Sequence, residues 1–131
     1  SGNLFTAGAI NPSSDRGLKA DFNAINPRSI LDRLASIPIQ SWRYRSDPET
    51  VRHLGPVAQD FRAAFDLGAD DKTIATVDAD GVALASIQAL YQMMREKERQ
   101  IEALTHKLDE QQAQLDRVRR ALRRRRAAKR D

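Results

Sequence analysis

Ser14 and Lys19 stand five residues apart in Ser14-Asp15-Arg16-Gly17-Leu18-Lys19, close enough to meet across a turn. A hydroxyl and an amine within reach of each other can act as nucleophile and base. Serine attacks well only when its proton is taken up. Lysine takes that proton only where burial or a cationic neighbour lowers its pKa from ~10.4 toward neutrality. On residue types alone these six residues read first as a polar turn ahead of a helix. Other chemistry is thin. With no cysteine there is no disulfide, thiol nucleophile or thiolate metal site, and the two separated histidines, His53 and His106, make no metal cluster. No Gly-rich phosphate loop occurs, so neither a metal nor a cofactor is expected.

The elements that must position these residues belong to a small mixed head. Asn26-Pro27 precedes Ile30, Leu31 and Leu34 at helical spacing, which predicts a helix over residues 28–35. Residues 37–45 alternate apolar and polar, with a slip near Ser41, and predict a strand. A polar loop follows over residues 46–50. Gly55-Pro56 then opens a second helix over residues 57–67, with Val57, Phe61, Ala64 and Phe65 along one side. The β-branched stretch 73–77 predicts a strand, and Asp78-Ala79-Asp80-Gly81 predicts a turn that can cap the next helix. Residues 1–13, with weak alternation at Leu4, Thr6 and Ile10, read as a short strand or the stub of something longer. Trp42, Tyr44, Phe61, Phe65 and Tyr91 are expected in the core or between subunits, and Gln59 on a helix surface.

From Val82 onward there is neither proline nor glycine, and apolar residues recur at alternating spacings of three and four. Ile87, Leu90, Met94, Ile101, Leu104, Leu108, Leu115, Val118 and Leu122 form a seam interrupted only by Lys97 and Gln111. Nine apolar positions of eleven over five heptads specify a coiled coil rather than the surface helix of a globule. A chain of 131 residues has no core long enough to cover such a stripe, so partner chains must. Mixed isoleucine and leucine at the a and d positions leave two strands and three open. Lys97 and Gln111 would fix the register at some cost in stability.

Charge is divided along the chain. Residues 1–80 carry nine Lys/Arg against eleven Asp/Glu, whereas residues 81–131 carry thirteen against seven. Nine of those cations lie between Arg117 and Arg130. They suit a polyanion such as nucleic acid or an acidic membrane, or simply a solvated basic helix end that complements the helix dipole. No apolar run reaches the ~20 residues of a membrane span. The opening Ser1-Gly2-Asn3-Leu4 lacks a methionine, a basic start and an apolar stretch, so it reads as a trimmed start from which location is not legible.

Three stretches together resemble one family. They are Ser14-Asp15-Arg16-Gly17-Leu18-Lys19, then His53-Leu54-Gly55-Pro56-Val57-Ala58-Gln59-Asp60-Phe61, then the approach to the long helix from Asp78 to Leu90. In order and spacing they are similar to the C-terminal intramolecular chaperone domain of phage endosialidase tailspikes. That domain is also found on other tail fibres, on bacterial surface proteins and in a membrane-bound animal transcription factor.

The resemblance implies a homotrimer that helps an upstream fibre of the same chain find its register. It also implies a single-turnover serine peptidase that releases itself at the Ser13–Ser14 bond, with Ser14 and Lys19 as the dyad. His53 and Asp15 are further candidates for the site. Gly17 stands where the family has a bulkier, often basic residue. The fold expected is α+β: a mixed head of short helices and strands, then a long helix forming a parallel trimeric coiled coil. Residues 1–13 would be the end of the fibre, 14–81 the chaperone and autoprotease head, and 82–131 the coiled coil with its Arg-rich end. A non-cleaving trimerisation cap and a basic coiled-coil adaptor for nucleic acid are the competing readings. The implied location is the bacterial cytoplasm during phage fibre assembly, or the virion tail or cell surface if the bond stays intact.

Overall fold

The computed structural model describes residues 7–129. Leu4 and Thr6 of the expected first strand lie outside them, and residues 7–13 form no strand. A single 3-10 turn at Arg16–Leu18 precedes helix α1, Pro27–Ser36. The proline fills a first-turn position whose N–H would be unsatisfied, and the Asn26 carboxamide oxygen accepts from the backbone N–H of Arg28 at 3.0 Å and of Ser29 at 3.3 Å. Helix α1 presents Ile30 and Leu34, and Ile37 just beyond it, to the core.

The strand expected over residues 37–45 is much shorter. Strand β1 is Gln40–Trp42, paired antiparallel with β2, His53–Gly55, in the register Gln40↔Gly55, Ser41↔Leu54, Trp42↔His53. Pro38 has no N–H to give a ladder, which keeps pairing downstream of it. Strand β2 escapes a reading by periodicity because three residues show no period. Arg52 clamps the pair from the side, donating to the Ser41 carbonyl at 2.9 Å and to its hydroxyl at 3.2 Å. Gly55 ends β2 at φ 155°, a conformation that side chains rarely adopt.

Helix α2, Ala58–Phe65, buries Phe61 and Phe65 and stops at Asp66, whose N–H makes the last helical bond to the Arg62 carbonyl at 2.9 Å and whose left-handed backbone turns the chain away. The strand expected over residues 73–77 is absent. Instead the Asp70 carboxylate accepts from the N–H of Lys72 and of Thr73, both at 2.8 Å, and from the Thr73 hydroxyl at 2.9 Å. These bonds take the donors a strand would have used, and Ile74 folds onto the core. The expected turn at Asp78–Gly81 is also absent, because helix α3 begins at Thr76 and runs unbroken to Ala128. A glycine inside a helix costs about 1 kcal/mol relative to alanine. Burial of Val82, Ala85 and Ala89 immediately after Gly81 outweighs that cost.

The core lies where these elements meet. Phe61, Phe65 and Val82 are at most 7% exposed, with Ile30, Leu34, Ile37, Ala64 and Ile74 packed around them. Helix α1 runs antiparallel along the start of α3: its far end reaches Val82, and Arg28 at its start sits 3.6 Å from Glu96. Of the five aromatics expected in packing, Phe61 and Phe65 are buried, whereas Tyr44 and Tyr91 are exposed in the single chain. The architecture is α+β, a small head with a two-stranded sheet and one helix of 53 residues, about 80 Å long.

Candidate functional site

The turn at Arg16–Leu18 brings Ser14 and Lys19 together. Backbone bonds from Leu18 N–H to the Asp15 carbonyl, 3.1 Å, and from Lys19 N–H to the Arg16 carbonyl, 3.2 Å, fold the chain back on itself. The Lys19 ammonium then donates to the Ser14 hydroxyl oxygen at 2.7 Å. Asp15 is used in building this turn, since its carboxylate accepts from Gly17 N–H at 2.6 Å as the N-cap. Glycine suits position 17 sterically, because a Cβ there would meet the Asp15 oxygen at 3.0 Å. The Arg16 guanidinium lies 5.4 Å from the centre of the Phe22 ring, a cation–π approach that steadies the far side of the turn.

Both members of the pair are exposed in the single chain. With the lysine charged, it gives the proton to the bond. For the bond to run the other way, with the hydroxyl giving its proton to a neutral amine, burial must come from a surface that one chain does not supply.

A second cluster surrounds His53. Its Nε2 lies 3.1 Å from the Asp47 carboxylate, which also accepts from Tyr44 N–H at 3.3 Å. The imidazole packs against the Trp42 ring at 4.9 Å and the Tyr44 ring at 5.3 Å, and the Trp42 indole N–H donates to the Gly55 carbonyl at 3.2 Å. The β1–β2 register sets this up by placing His53 directly opposite Trp42. Sequence reasoning does not find Asp47, which falls in the loop over residues 46–50, because its distance from His53 depends on how the hairpin closes. Beside the cluster is an open groove of about 530 Å³ lined by Trp42, Tyr44, Val57, Gln59 and Thr73, which places Gln59 at its edge. Among the described residues no hydrogen bond or ring contact joins the His53 cluster to Ser14 and Lys19.

The third feature is the seam of α3. The head packs on the face carrying Val82, Ala85, Ser86 and Ala89, about a third of a turn from the seam. Ile87, Leu90, Met94, Ile101, Leu104, Leu108, Leu115, Val118 and Leu122 therefore remain 44–66% exposed. Among the described residues no helix is long and apolar enough to cross a membrane.

The candidate site is thus a serine and a lysine in contact ahead of a mixed head, which is followed by a long helix whose heptad seam is exposed in the single chain. Residues 14–67 match the family model described as chaperone of endosialidase, the family whose motifs the sequence resembles. The matched segment opens on Ser14 and takes in Lys19, the Asp47–His53 pair and both short helices. It supports a chaperone role and, with it, a partner domain upstream. A search of curated proteins finds no match to the chain.

Proposed function

We propose that the chain is an intramolecular chaperone that works as a parallel homotrimer, registers an upstream fibre segment and then cuts itself free at Ser13–Ser14. The observation that carries this reading is the 2.7 Å approach of the Lys19 amine to the Ser14 hydroxyl at the opening of the matched segment. The exposed seam supports self-association, and the choice of three strands follows the family resemblance.

Attack of Ser14 Oγ on the Ser13 carbonyl carbon closes a five-membered ring through Cβ, Cα and the amide nitrogen, whereas attack on its own carbonyl would need a strained four-membered one. Neutral Lys19 takes the hydroxyl proton as Oγ attacks this carbonyl carbon. The C–N bond breaks, and the proton passes to the departing amide nitrogen. An ester now joins the Ser13 acyl group to Ser14 Oγ. Water hydrolyses it, leaving a carboxylate on Ser13 and a free amine on Ser14. Packing of three heads would supply the burial that holds Lys19 neutral, so only correctly assembled chains would cut. The reaction is single-turnover because the substrate bond is the enzyme's own. It would take place in the bacterial cytoplasm during fibre assembly, and an uncut chain would stay on the virion tail or cell surface.

A second reading, a trimerisation cap that never cuts, is favoured by the use of Asp15 as a helix cap and by the exposure of the pair. Intact mass and denaturing electrophoresis of freshly expressed wild type and Ser14→Ala decide between them. Loss of a fragment ending at Ser13 in wild type alone supports self-cleavage. A wild-type mass unchanged after prolonged incubation refutes it in favour of the cap.

A further inference from the structure

Beyond Leu122 the heptad register continues, but its residues turn cationic. Arg125 takes the next d position and Lys129 the next a position. Helix α3 runs unbroken through this change, ending at Ala128 with Lys129 as its cap. In the assembly proposed above, each chain therefore brings two cations to the axis where Leu115, Val118 and Leu122 meet. Their long stems let the charged heads fan outward from it. Residues 117–129 hold eight Lys/Arg. Among the described residues of that stretch only Arg119 has a carboxylate partner, Asp116 at 3.9 Å. At about 100° per residue the cations occupy every side of the helix. The end of the bundle becomes a collar of like charges that repel one another until anions enter.

The pattern narrows the kind of anion. A helix that lies on a lipid surface needs an apolar face opposite its charges. Here the only large apolar residues, Val118 and Leu122, belong to the seam. Proteins that hold single strands interleave aromatic rings on which bases stack, and residues 117–129 contain none. A duplex, with about one phosphate charge per 1.7 Å of its axis, binds such a collar through counterion release alone, needing neither an apolar face nor stacking rings.

We propose that the gathered basic ends, residues 117–129 of each chain, bind the phosphate backbone of duplex nucleic acid without reading its sequence. The site rests on the oligomeric reading above, because assembly multiplies the charge and brings Arg125 and Lys129 to a common axis.

The test is fluorescence anisotropy of the full chain with a short labelled DNA duplex of mixed sequence. Sedimentation of the same samples reports the oligomeric state. With about six phosphates neutralised, affinity should fall on the order of a thousandfold between roughly 50 and 200 mM salt. The triple variant Arg123→Gln, Arg124→Gln, Arg126→Gln, all off the seam, should keep the oligomer and bind at least ~10-fold more weakly. Its salt slope should be shallower by about 0.9 for each phosphate no longer neutralised. Anionic phosphatidylserine vesicles at equal charge should not displace the duplex. A trimer that fails to bind, a variant that binds as well as wild type, or displacement by the vesicles overturns the nucleic-acid site and leaves the chaperone reading untouched. A monomer that binds with the same affinity overturns the need for gathered ends and the oligomeric reading together.

Discussion

Replacing Leu108 by alanine tests whether the exposed seam is an interface. Leu108 is 66% exposed in the single chain, far from the head, so the substitution leaves the core of Phe61, Phe65 and Val82 intact. Full burial of a leucine side chain contributes about 1.5–3 kcal/mol. With two thirds of that available to a partner, the residue contributes about 1–2 kcal/mol per chain and about 3–6 kcal/mol per trimer. At ~1.4 kcal/mol per tenfold, the association constant should fall by about 10²–10⁴. Sedimentation equilibrium across a dilution series reads this directly, and circular dichroism should show helix loss at concentrations where the variant dissociates. Glu102→Ala is the control, since Glu102 is exposed on α3 and is not a seam position; it should leave assembly unchanged. If Leu108→Ala associates as tightly as wild type, or Glu102→Ala weakens assembly as much, the seam is not the interface. A dimeric wild type would refute the trimer.

Lys19→Arg should keep a cation near Ser14 but abolish the cut, because a guanidinium is never deprotonated at neutral pH; cleavage at the wild-type rate, followed by intact mass, would remove Lys19 as the base. Phe61→Ala should cost about 3–5 kcal/mol, since the ring is 5% exposed at the centre of the core, and urea denaturation should show the head unfolding early. Asp70 receives hydrogen bonds from Lys72 and Thr73, which hold its carboxyl below the ordinary carboxylate range, helped by the charge of Arg62. A depressed native pKa means that this stabilisation is fully present above the unfolded-state pKa and is lost as pH falls through the native one. Asp70→Ala should therefore lower the denaturation midpoint at neutral pH, with the gap to wild type narrowing under acid. A gap that does not change with pH would show that its charge is not what orders the loop.

Heptad periodicity, the Asn26-Pro27 helix entrance and the Ser14–Lys19 spacing are local properties, so residue order alone determined the long helix, α1 and the turn that can close the pair. The resemblance to chaperone domains was legible for a related reason, since its motifs are short runs. What the sequence misjudged were segments where local preference and burial disagree. Residues 73–77 have strand propensity, but the bonds that Asp70 accepts and the packing of Ile74 make them a loop and a helix start. Gly81 marks a turn in isolation, yet burial of Val82 and Ala85 carries the helix through it. Only the tertiary structure decided that Asp47 would meet His53, and that the head would dock on a face of α3 adjacent to the seam. Each depends on how separate elements close in space, and no period along the chain encodes that. The docking left the stripe from Ile87 to Leu122 uncovered in the single chain.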